Sequence, residues 1–232
     1  MDNRGPRLDT PFHAGERSVQ ERLGIAERMQ GIGQRAIRTW MPEQHQRFYE
    51  QLPFVLAGSV DGEGRPWASV LVGQPGFIQA PGAQRLEFNA RPIEGDPLAQ
   101  ALLPDARLGF LGIELHTRRR NRVNGRVAQV SAQGFTLDVE QTTGNCPQYI
   151  QGREFAWVRD AKDLRPRGID RMTSLDDAAR ATVAQADTLF VATAVPLKDG
   201  DGDRGADVSH RGGRAGFVKI EGGRTLVVPD YA

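Results

Sequence analysis

GADVSHRGGRAGFVKIEGGRTLVVPDYA, Gly205 to Ala232, is the stretch whose reading decides the fold. Moved back by 140 positions, it lies without a gap on Arg65 to Pro92, RPWASVLVGQPGFIQAPGAQRLEFNARP. Ser209 falls on Ser69, Gly213 on Gly73, Gly216-Phe217 on Gly76-Phe77, Gly222 on Gly82 and Leu226 on Leu86. The shared glycines matter most, because they place turns in the same register. A self-match at a fixed offset marks a supersecondary unit that occurs twice. The second copy stops where the first is only half finished.

Working outward, LDDAARATVAQA (175–186) predicts a helix and LFVATAV (189–195) a strand. They match Gln44–Leu52 and Phe54–Val60 at a slightly different offset, and the longer loop KDGDGDRGA (198–206) absorbs the difference. In the first copy FVLAGSV (54–60), PWASVLVG (66–73), Gly76–Ile78 and Arg85–Asn89 read as strands, with DGEG (61–64) as hairpin chemistry. Asp96-Pro97 starts the short helix DPLAQALL. ARLGFLGIEL (106–115) reads as a buried strand, GRVAQVSAQGFTLDVEQ (125–141) as a hairpin turning at Ala132–Gly134, and REFAWVR (153–159) as one more strand. Upstream, a capping box at Ser18-x-x-Glu21 predicts one helix from about Val19 to Thr39, and Pro42 opens a second over Glu43–Leu52. Some six antiparallel strands with a short helix between them predict a small closed barrel, because closure removes exposed edges. The expected organisation is an arm and helix (1–41), a complete barrel (42–159), a linker (160–174) and the first half of a second barrel (175–232). The fold class is mainly β, a β-barrel with flanking helices.

Composition narrows the function classes. A net charge of +1 gives no global field for nucleic acid or membrane, and 39 % hydrophobic with 25 % charged residues is ordinary for a globular chain. The single cysteine, Cys146, excludes an intrachain disulfide, and four scattered histidines do not predict a metal site. MDNRGPRLDTPF carries no apolar signal core, so a soluble, cytoplasmic protein is expected.

Three clusters carry possible chemistry. Ser209-His210-Arg211-Gly212-Gly213-Arg214 combines close backbone approach with guanidinium forks suited to phosphate oxygens; a solvated hairpin would use the same residues. Arg118-Arg119-Arg120-Asn121-Arg122, with Arg126, suits a phosphorylated ligand, an acidic partner or a plain solvated connection, and its lack of aromatics argues against nucleic acid. Gly144-Asn145-Cys146-Pro147-Gln148-Tyr149-Ile150 reads either as a turn or as a thiol beside a ring that can stack, and the turn is favoured because no neighbouring group activates the thiol. Neither a phosphate-binding P-loop nor a nucleophile elbow is present in the sequence.

PFHAGE (11–16), MPEQHQRFYEQLPFVLAGSVDGEGRPWASVLVGQPGF (41–77), LGIELHTRRRNRVNGRV (111–127), GNCPQYI (144–150) and the closing stretch together resemble the pyridoxamine 5'-phosphate oxidase-related FMN-binding split-barrel proteins, tandem-barrel subgroup. The resemblance implies a six-stranded split barrel paired with a second barrel, with FMN at their seam. It implies that Ser209, His210, Arg211 and Gly213 face the flavin edge and phosphate, and that Pro229, Asp230 and Tyr231 begin the adjoining flavin strand. In the first copy Ser69, Asn89 and Arg91 occupy equivalent places. An FMN-dependent oxidoreductase acting on a small-molecule substrate or electron donor is implied; a non-catalytic module for flavin, haem or another phosphorylated ligand is the alternative. The half-finished copy is expected to be completed by a homodimer or by a longer native chain.

Overall fold

The computed structural model describes residues 10–160, 163, 168–195 and 205–230. Its N-terminal region holds two helices where one was expected, α1 (Ala14–Arg22) and α2 (Ala26–Ala36). The capping box belongs to His13 and Glu16, not to Ser18 and Glu21, which lie inside α1. His13 Nδ1 accepts from the amides of Gly15 (3.1 Å) and Glu16 (3.3 Å), and the Glu16 carboxylate accepts from the His13 amide (2.9 Å). Gly24, at φ +67°, ends α1. The amides of Gly24 and Ile25 return to the carbonyls of Glu21 and Gln20, a glycine-closed helix end that the apolar periodicity across it does not reveal. Gly33 in α2 serves close packing, since a Cβ there would lie 2.6 Å from both Pro11 and Phe12. The extended segment before α1 is thereby fixed against α2.

Helix α3 (Glu43–Glu50) leads into β1 (Phe54–Val60), β2 (Pro66–Val72), β3 (Ile78–Gly82), β4 (Arg85–Phe88), the short α4 (Leu98–Ala101), β5 (Arg107–Glu114), β6 (Arg119–Val130) and β7 (Phe135–Asn145). These strands form one antiparallel sheet of seven in the order β2-β1-β5-β6-β7-β4-β3. Its two edge strands, β2 and β3, are consecutive in the chain and joined by only residues 73–77. A sheet whose two edges are tied so closely has to curl on itself. The fold is therefore a barrel split open between β2 and β3.

Its interior holds Val55, Leu71, Ile78, Leu86, Val123 and Leu137 around a stack of Phe88, Phe110 and Phe135, with Phe88 ring centroids 4.7 Å and 4.5 Å from the other two. Full burial of such side chains is worth roughly 1.5–3 kcal/mol each. REFAWVR (153–159) is not a strand. Phe155 and Trp157 instead pair edge to face on the surface, 5.8 Å apart.

The repeat is visible in the hydrogen bonds. Helix α5 (Asp177–Gln185), β8 (Thr188–Ala194), β9 (Ala206–Gly212), β10 (Lys219–Glu221) and β11 (Thr225–Val227) follow the order of α3 and β1–β4. Gly73 donates to the Pro53 carbonyl at 3.1 Å, and Gly213 to that of Asp187 at 2.9 Å. Phe77 closes on Gln74 and Phe217 on Arg214, both at 2.9 Å. Gly76 and Gly216, at φ +95° and +77°, occupy backbone that disfavours any side chain.

The β8–β9 hairpin lies on the outer face of the barrel. Leu56 of β1, Leu111 and Ile113 of β5, Ile150 and Val208 of β9 form a second apolar cluster there, with Phe54 and Phe190 against it. Two glycines allow the approach: a Cβ on Gly109 would sit 2.4 Å from the Ala206 carbonyl oxygen, and one on Gly58 would sit 2.8 Å from the Asp207 backbone. With β1 and β5 buried on both faces, their near-continuous apolar runs are explained. Among the described residues no helix is long and apolar enough to cross a membrane.

Candidate anion site at the barrel seam

The arginine run is sorted by the two-residue period of β6. Arg119 turns one way, its guanidinium 5.3 Å from the Phe48 ring centroid. Arg120, Arg122 and Asn124 share the opposite face, towards β9. Arg126, further along, pairs with Glu140 at 3.4 Å. Arg118 sits before the strand at φ +55°.

Arg122 ties the barrel to the second copy. Its Nη1 donates to Asp207 Oδ2 at 3.0 Å, and its Nη2 to Ser209 Oγ at 2.8 Å and the Val208 carbonyl at 3.3 Å. Two residues back along β6 and one residue on along β9, Arg120 Nη1 lies 3.1 Å from His210 Nδ1. A guanidinium can only donate, so Nδ1 accepts and the imidazole is neutral with its proton on Nε2. That Nε2 and Arg120 Nε are both buried, and among the described residues neither has a hydrogen-bond partner. Burial, then Arg120 and Arg211, push the His210 pKa down to about 4, against a smaller opposing effect of Asp187. Burial also lowers the Arg120 pKa, opposed by Cys146 and aided by smaller effects of Arg122 and Arg211. Arg211 is exposed and donates from Nη1 to the His210 carbonyl at 3.1 Å. Among the described residues neither Arg120 nor Arg211 forms an ion pair.

The third cluster reaches the same place. The loop after β7 runs against the end of β9, where a Cβ on Gly212 would fall 2.1 Å from the Tyr149 carbonyl oxygen. Gln151 Nε2 donates to the Gly213 carbonyl at 3.0 Å. Cys146 is exposed and lies within electrostatic reach of Arg120. Tyr149, partly exposed, holds a left-handed backbone at φ +64°. Three stretches far apart in sequence thus meet at one seam: Ser209–Gly213, Arg120–Arg122 and Cys146–Gln151.

The other residues expected at the site have different surroundings. Ser69 Oγ donates to Asp96 Oδ1 at 2.6 Å inside the first barrel, and a carboxylate on that hydroxyl opposes phosphate there. Asn89 is exposed, and its amide donates to the Phe77 carbonyl at 2.7 Å. Arg91 Nη1 holds the β6–β7 turn through the Ser131 carbonyl at 3.1 Å. Pro229 and Asp230 follow β11, Asp230 exposed, and Tyr231 lies outside the described residues. Arg120 and Arg122 entered the sequence reading only as part of a basic run; the signal that separates them is their i, i+2 spacing on a strand that alternates with apolar Val123 and Val127.

No family model matches the chain, and no curated protein matches it. Among solved structures it is similar to HupZ of Group A Streptococcus and to a His-to-Ala variant of that protein. Each likeness has 10 % identity and a TM-score of 0.36 over 45 % of this chain, covering 94 % and 100 % of theirs. The fold assignment rests on the strand order, not on that likeness.

Proposed function

We propose that the seam binds a phosphorylated ligand, and that this ligand is FMN. The observation that carries the reading is a cationic patch without a counter-charge: Arg120 and Arg211 flank a neutral, buried His210 and form no ion pair among the described residues. Uncompensated guanidinium groups favour a dianion, and the unpartnered Nε–H of Arg120 and Nε2–H of His210 are donors of the kind phosphate oxygens accept. The residues present therefore fit the phosphate end of FMN. Arg120, Arg211 and Ser209 would hold the phosphate, His210 would donate from Nε2, and Tyr149 would offer a ring face beside the flavin. Bound flavin supplies hydride and electron transfer. The chain's part is to orient and neutralise it, because His210 is held neutral and has no second partner among the described residues with which to relay a proton. An oxidoreductase using such a flavin belongs to the same proposal.

Titration of the purified protein with FMN and with riboflavin, followed by flavin absorbance and fluorescence quenching, tests it. FMN should bind at micromolar concentration and riboflavin at least tenfold more weakly, since charged hydrogen bonds to the phosphate are lost. Arg120→Ala and Arg211→Ala should each weaken FMN about tenfold and leave riboflavin unchanged. Equal affinity for the two flavins, or no FMN binding, overturns the reading. Binding without reoxidation of the reduced flavin keeps the ligand but makes the protein a carrier.

A further inference from the structure

Arg120 and Arg122 share a face of β6, yet only Arg122 has its charge compensated. Its guanidinium is held by acceptors on three consecutive residues of β9: Asp207 Oδ2 at 3.0 Å, the Val208 carbonyl at 3.3 Å and Ser209 Oγ at 2.8 Å. Its side chain is 24 % exposed and ion-paired with Asp207. A guanidinium so fixed and neutralised has little left for an incoming anion. What it does is set the polarity of Ser209. A hydroxyl has one proton and two lone pairs, and an arginine can only donate. Ser209 Oγ is therefore the acceptor in the 2.8 Å contact, and its proton is turned away from the cation. Among the described residues that proton meets no acceptor.

The repeat supplies the contrast. Ser69, the counterpart in β2, donates its proton to Asp96 Oδ1 at 2.6 Å, so the first copy leaves that hydroxyl nothing to give. In the two-residue period of β9, Asp207, Ser209 and Arg211 share one face, Ser209 half-buried and Arg211 exposed. With Asp207 tied to Arg122, that face presents an unused O–H two residues from a guanidinium that forms no ion pair among the described residues. Both groups are complementary to an oxygen acceptor carrying negative charge.

We infer that Arg122 is a positioning residue of the seam: it orients the Ser209 hydroxyl as a donor to the oxyanion that Arg211 attracts, without touching that ligand itself. This role rests on the seam being a phosphate site. Asp207 takes part by compensating Arg122, so that removing the two together alters the hydroxyl and not the net charge.

A mutant cycle on the full chain tests the role, with FMN affinity read by fluorescence quenching, riboflavin as the phosphate-free control and inorganic phosphate, by calorimetry, as the second probe. Ser209→Ala should weaken FMN about tenfold and leave riboflavin unchanged, whereas Ser209→Thr, which keeps the hydroxyl, should stay within about threefold of the parent. Arg122→Met with Asp207→Asn removes the clamp without stranding either charge and should weaken FMN by the same factor. Added to Ser209→Ala it should weaken FMN no further, because the clamp acts through the hydroxyl. Should that pair fail to fold, Arg122→Lys takes its place in the cycle, since it keeps the charge and lacks the fork that reaches Asp207 and Ser209 at once. A loss of about a hundredfold in the combined variant makes Arg122 a direct ligand contact and overturns the inference. An equal loss of riboflavin, which a merely structural role produces, overturns it too. FMN that binds with none of these losses removes the positioning role and leaves the flavin reading standing. Inorganic phosphate that binds with these losses where FMN does not bind does the reverse, and binding of neither probe overturns both.

Discussion

The two copies of the repeat share their turns and hydrogen bonds yet bury opposite faces. In β2, Ser69 and Leu71 point into the barrel while Ala68, Val70 and Val72 are exposed. In β9 the equivalents of those exposed residues, Val208, His210 and Gly212, are buried, and Arg211, the equivalent of Leu71, is exposed. The reason is what each strand has to lie on. β1 pairs with both β2 and β5, whereas among the described residues β8 pairs only with β9. Among the described residues no further strand pairs with β8 as β5 does with β1, and β9 instead buries the face that is pressed on β1 and β5. Local sequence fixes a strand's turns and register; which of its faces is buried is decided by the neighbour.

Substitutions at equivalent positions break this comparison most sharply. Leu86 is fully buried and its counterpart Leu226 is 45 % exposed. Leu86→Ala should cost about 2–5 kcal/mol in chemical denaturation. Leu226→Ala should cost no more than about 0.5 kcal/mol. Equal costs would mean that the second copy has a core of its own.

His210 supplies the next largest effect, because its counterpart Val70 cannot titrate. Its folded pKa of about 4 lies below the ordinary 6.5. Above pH 6.5 both states are neutral and stability is full. As pH falls the unfolded chain takes the proton first, so stability is lost down to pH 4 and the loss then levels off, at roughly 3 kcal/mol in all. His210→Gln should flatten the pH 4–6.5 portion of the stability curve; an unchanged slope assigns it to another group.

Gly109→Val tests the docking itself. The added side chain meets the Ala206 carbonyl, and overpacking of this kind costs about 1–3 kcal/mol. Hydrogen exchange should accelerate in β8 and β9 while β6 and β7 keep their protection, whereas Gly62→Ala, with open space around it, should change neither.

Much of the fold was legible. The continuous apolar runs 54–60 and 106–115 gave β1 and β5, the alternation on either side of Ala132–Gly134 gave the β6–β7 hairpin, and the fixed offset gave the second copy. The split at Gly24 and the exposed 153–159 segment were not, because each has the local pattern of the element it does not form. At the site, Ser209, His210 and Arg211 were legible as a strand of polar residues between glycines. Their partners were not, because Arg120 and Arg122 are some ninety residues away and indistinguishable in composition from Arg118 and Arg119.

The sequence by itself determined the repeat, its turns and the alternation of its strands, since these depend on glycine conformations and on period within a few residues. Only the tertiary structure decided that His210 is buried and neutral, that Arg120 and Arg211 form no ion pair among the described residues, and that Asp207 holds Arg122. Those properties come from strands brought together across the seam, and charge compensation and desolvation depend on distance in space.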